Sequence, residues 1–101
     1  MEKENKNYQQ VLKNEESIWF QVELSDGKKF LKWAKDLGCK WFNDKPIKSN
    51  EKTTHFTIEM NANGTIGYVP IFCYKSEKSK SVKKINFSEI KNNLNDFSIF
   101  D

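Results

Sequence analysis

The sequence predicts an α+β fold of two layers: one main helix packed on a mostly antiparallel sheet of four to five strands, with a short C-terminal helix. Three observations predict it. Residues 17–24 alternate, with Ile18, Phe20, Val22 and Leu24 on one face and Trp19, Gln21 and Glu23 on the other. Phe30, Ala34 and Leu37 then fall on one helical face, with Leu31 and Trp33 beside them and Gly38 placed to stop the helix. Later, Asn61-Ala62-Asn63-Gly64 separates two apolar runs, the pattern of a hairpin turn.

Residues 1–16 carry Glu2, Lys3, Glu4, Lys6, Lys13, Glu15 and Glu16, and only Tyr8, Val11 and Leu12 as larger apolar side chains. They read as a polar, frayed segment, with a short docked helix as the second reading. Residues 17–101 read as a single α+β domain. Trp19 lies on the polar face of the first strand and therefore requires a cover of its own, from a helix, a partner or a ligand. Ser25-Asp26 supplies a helix N-cap. Lys28, Lys29, Lys32, Lys35 and Asp36 fill the polar side of the helix. Cys39, Trp41 and Ile47 point inward from a short strand, and Asn43-Asp44-Lys45-Pro46 is turn chemistry.

After a polar connector, residues 54–60 read as a strand with Phe56, Ile58 and Met60 inward and His55, Thr57 and Glu59 outward. Residues 65–74 read as a long strand, in which Pro70 requires an edge position or a bulge because proline donates no ladder bond. Residues 75–84 read as a basic loop. Val82, Ile85 and Phe87 form a last short strand, Ser88 caps a helical turn or two, and Phe97, Ile99 and Phe100 make an apolar tail that packs in the core or adds a strand to the body or to a sister chain.

Composition narrows the classes. At 101 residues with 14% aromatics, the chain has the size and the ring content of one densely packed domain. The two cysteines, Cys39 and Cys73, read as small reduced apolar residues. With the single His55 they fall short of a closed zinc site, so no metal and no cofactor are expected. The charged start, with no apolar core after it, predicts a cytoplasmic chain with no membrane partner. All 17 basic residues are lysine. The absence of arginine argues against a dedicated reader of base sequence.

Catalysis needs a positioned acid, base or nucleophile. His55 reads as a surface histidine, neither cysteine has a spacing that brings it to His55, and the carboxylates are scattered. The four glycines form no phosphate loop. No enzyme is expected. Binding is better represented. From Asp26 to Lys48 seven lysines face three aspartates, net +4, and from Lys75 to Lys84 five lysines face one glutamate, again +4. Sharing a face, these two regions would follow a phosphate backbone, with Trp19 or Tyr74 for stacking. The same lysines suit an acidic protein surface, with Trp19, Trp33, Tyr68 and Tyr74 as anchors. Trp41, Phe42 and Lys45 could instead pocket a nucleotide.

The run Phe30-Leu31-Lys32-Trp33-Ala34-Lys35-Asp36-Leu37-Gly38-Cys39-Lys40-Trp41, followed by a turn with Pro46 and an aromatic hairpin carrying Asn63-Gly64, resembles small accessory proteins of bacteriophages and mobile elements. The resemblance covers roughly residues 17–90. It departs at Asn43-Asp44, where that pattern has a glycine after the tryptophan. Some of those proteins inhibit bacterial defence systems, CRISPR among them, by plugging a nuclease effector or sequestering a nucleotide signal. The resemblance therefore implies a non-catalytic inhibitor of a bacterial host protein. The expected contact residues are Lys75, Lys78, Lys80, Lys83, Lys84, Tyr74, Trp19, Trp41 and Lys45. A lysine-rich nucleic-acid module and a nucleotide sponge are the alternatives, and a homodimer is compatible with all three.

Overall fold

The alternating run that opens the domain does become a strand, β1 (Ser17–Gln21), and it lies near the middle of the sheet. The computed structural model describes residues 6–74 and 80–100, with residues 71 and 74 described by backbone alone. Four further strands join β1: β2 (Lys40–Trp41), β3 (Thr57–Asn61), β4 (Thr65–Tyr68) and β5 (Lys83–Asn86), in the order β2-β4-β3-β1-β5. The central three strands are antiparallel, pairing Phe20 with Ile58 and Met60 with Ile66. Both edges are parallel, β2 beside β4 and β5 beside β1. The sheet is thus mixed, and the expected α+β class stands.

Helix α2 (Gly27–Asp36) covers one face of the sheet. Its apolar stripe of Phe30, Leu31, Trp33, Ala34 and Leu37 is buried against Ile18, Phe20, Ile58, Met60 and Ile66. Phe20, Phe30 and Phe87 pack with ring centroids 5.2–5.3 Å apart, and Trp33 stacks on Phe100 at 6.0 Å. Such ring pairs add roughly 0.5–1.5 kcal/mol each beyond the area they bury. The helix ends in a Schellman arrangement around left-handed Gly38 (φ 95°): the Gly38 amide donates to the Lys35 carbonyl and the Cys39 amide to that of Ala34.

Several expectations are corrected. The N-terminal segment is not frayed where it is described. Helix α1 (Tyr8–Leu12) buries Tyr8, Val11 and Leu12, and the Tyr8 amide donates to the Leu37 carbonyl at 3.1 Å. Asp26 precedes α2 but caps nothing with its side chain; it pairs with Lys91 at 3.2 Å instead. β1 stops earlier and β3 starts later than periodicity suggests, so Leu24 (48% exposed) and Phe56 (57% exposed) face solvent. Pro70 ends the fourth strand, and α3 (Ile71–Tyr74) is a helical turn rather than more strand. Lys83 and Lys84 belong to β5, not to a loop. Asn86, not Ser88, caps α4 (Phe87–Ile90) by accepting from the Ser88 amide at 3.1 Å. The apolar tail adds no strand: Phe97–Phe100 is a 3-10 turn that packs on α1 and seats Phe100 in the core.

Candidate functional site

The candidate surface lies at the β2–β4 edge, where residues 42–56 cross between β2 and β3. Two backbone bonds close the first turn: the Trp41 amide donates to the Lys45 carbonyl and the Asp44 amide to that of Trp41, both at 2.9 Å. Asp44 takes a left-handed conformation (φ 68°), which aspartate tolerates better than most residues. Ile47 then anchors the crossing in the core. Glu51 folds back over it, its Oε1 accepting from the Lys48 amide at 2.9 Å and from Trp41 Nε1 at 3.3 Å. The crossing passes α2 where Gly27 leaves room, since a Cβ there would lie 2.9 Å from the Thr53 amide nitrogen.

The result is a cleft of about 390 Å³ lined by Trp41, Phe42, Lys45, Lys48, Lys52 and Tyr68, among others. Trp41 and Tyr68 sit 5.3 Å apart at 48°, and His55 lies 4.6 Å from Tyr68 on its own side. The Tyr68 hydroxyl accepts from the Thr54 amide at 3.1 Å. Both rings are therefore fixed by hydrogen bonds before anything enters. Phe42 is 70% exposed at the rim. Lys45, Lys48 and Lys52 are exposed and have no ion pair among the described residues. A second cleft of about 280 Å³ adjoins across Lys48 and Glu51, and Lys28, Lys32 and Lys35 extend the positive rim along it.

Of the residues the sequence pointed to, Trp41 and Lys45 are brought together here. Trp19 is not with them. It is 4% exposed on the sheet face away from α2, where its Nε1 donates to Glu59 Oε2 at 2.8 Å and Lys84 lies 5.8 Å from its ring. Lys83 is committed to the fold, its Nζ donating to the Phe100 carbonyl at 3.1 Å. Lys80 is exposed near β5, at the edge opposite the cleft. Lys75, Lys78 and the Tyr74 side chain lie outside the described residues. Among the described residues the two basic regions do not merge into one face: Lys83 bonds to Phe100, and Lys84 lies beside Trp19 on the side of the sheet that α2 does not cover.

Sequence reasoning missed Lys48, Lys52 and the role of Glu51. The available signal was the lysine spacing after Trp41, in Lys45-Pro46-Ile47-Lys48-Ser49-Asn50-Glu51-Lys52, with the apolar Ile47 as a pin. Cys39 is buried, and burial pushes its thiol up to about 12. A thiol held protonated in that way is a poor nucleophile. No disulfide joins Cys39 to Cys73. No helix among the described residues is long and apolar enough to cross a membrane. Comparison with protein-family models, curated proteins and solved structures returns no match, so the geometry stands alone.

Proposed function

We propose that this chain is a non-catalytic binding protein of bacteriophage or mobile-element type that blocks a bacterial defence protein by occupying its surface. The observation that carries the reading is the exposed Phe42 ring at the mouth of an aromatic cleft rimmed by Lys45, Lys48 and Lys52, which have no carboxylate partner among the described residues. Aromatic side chains are the usual energetic anchors of protein contacts, and unpaired cations around them select an acidic partner and speed its approach. The resemblance to phage accessory proteins supplies the biological setting of the proposal. The nucleic-acid reading is weaker, because it needs the two lysine regions on one face and Lys84 lies with Trp19 on the other side of the sheet.

The test is a tagged pull-down from bacterial lysate, with and without nuclease, using the wild-type chain and Phe42→Ala. Phe42 is exposed, so its loss should leave the fold intact. The reading expects one nuclease-resistant protein partner near equal stoichiometry, with recovery falling about tenfold for Phe42→Ala. Recovery that vanishes with nuclease would contradict it, as would a partner held equally by both chains.

A further inference from the structure

We propose that the cleft lined by Trp41 and Tyr68 is a mononucleotide site, taking a planar base against these rings and its phosphate on Lys45, Lys48 and Lys52. The proposal rests on the reading of the chain as a binding protein and names a ligand for the same cleft. Three features carry it. The first is ring preorganisation. Glu51 holds the Trp41 indole and the Thr54 amide holds the Tyr68 hydroxyl, so a flat ligand meets surfaces that need no further ordering. Bases stack on such rings with little regard to sequence.

The second feature is charge. Three ammonium groups line one cleft, and the only carboxylate among its described lining residues, Glu51, spends Oε1 on Trp41 and on the Lys48 amide. Lysine is a point charge with rotatable donors, which suits a phosphate at several orientations. Glu51 Oε2 is left to accept from an amino or hydroxyl group. The third feature is size. A cleft of about 390 Å³ lies toward the small end of the roughly 300–1,000 Å³ range of small-molecule sites. That fits one base, its sugar and its phosphates rather than a dinucleotide. The carboxylates of an acidic segment would engage the lysines but bring no planar group to Trp41 and Tyr68. A neutral aromatic would do the reverse. A nucleotide uses both.

The experiment is calorimetric titration of the full chain with ATP, GTP and UTP, and with adenosine and inorganic phosphate as the separated halves. At least one nucleotide should bind at one site per chain, with adenosine and phosphate each weaker by about tenfold or more. The triple variant Lys45→Ala, Lys48→Ala, Lys52→Ala should weaken that nucleotide by about tenfold or more while its urea midpoint stays at the wild-type value. No binding of any of the three at millimolar concentration would overturn the proposal, and so would binding that the triple variant leaves unchanged. A partner protein whose capture still depends on Phe42, found together with silent nucleotide titrations, would remove the nucleotide site and leave the binding-protein reading standing. Loss of partner capture with nucleotide binding intact would do the opposite.

Discussion

Cys39 and Gly64 show how single positions bind the fold together. Cys39 follows the helix stop directly, and its burial raises the thiol from near 9 to about 12. A group that keeps its proton longer when folded contributes stability in full below the unfolded value, near pH 9, and loses it as pH climbs toward 12. The alkaline loss of stability between those values should therefore be smaller in Cys39→Ala than in wild type, as read from urea midpoints at stepped pH; parallel curves would refute the burial argument. Gly64 has φ +86°, and a Cβ there would lie 2.7 Å from the Tyr8 ring. Gly64→Ala combines backbone strain with a clash against a helix the core needs. It should cost about 1–3 kcal/mol by urea denaturation, and an unchanged midpoint would show that Tyr8 does not pack there.

At the scale of elements, both ends of the described chain belong to the core. Helix α1 and the turn Phe97–Phe100 pack on one another, and Phe100 stacks on Trp33. Leu12→Ala should cost about 2–4 kcal/mol and Phe100→Ala about 3–5 kcal/mol. If the tail were an interface instead, Phe100→Ala would leave unfolding unchanged and alter only association. The long periodic elements were legible. Ile18, Phe20 and Val22 gave the buried face of β1, and Phe30, Ala34 and Leu37 gave the stripe of α2. The short ones were not. Five residues of α1 cannot display a helical period against Gln9, Gln10 and Lys13; the tertiary bond from the Tyr8 amide to Leu37 and the burial beneath it decide the matter. Leu24 and Phe56 fit the alternation but lie outside the strands, Leu24 in a 3-10 turn (Leu24–Asp26) after β1 and Phe56 just before β3.

Across the whole molecule, the site was half legible. Trp41, Phe42 and Lys45 are close in sequence, so local chemistry marked them together. Tyr68 and Lys52 reach them only because residues 42–56 cross past Gly27 and the parallel pairing of β2 with β4 brings Trp41 to Ile66. No local pattern encodes that. At the end of the basic stretch, Lys83 and Lys84 part for the complementary reason: a strand sends neighbouring side chains to opposite faces, so Lys83 turns to Phe100 and Lys84 to Trp19. If the clefts are the working surface, binding there should weaken as salt rises, since the contributing lysines are exposed and screened over about 8–10 Å. The most direct check of the central claim is amide hydrogen exchange on the chain alone and on the chain carrying its captured partner or titrated nucleotide. Added protection concentrated in residues 41–54 and 66–68 is the expected result. Protection confined to residues 80–86, with the cleft exchanging as before, would contradict it.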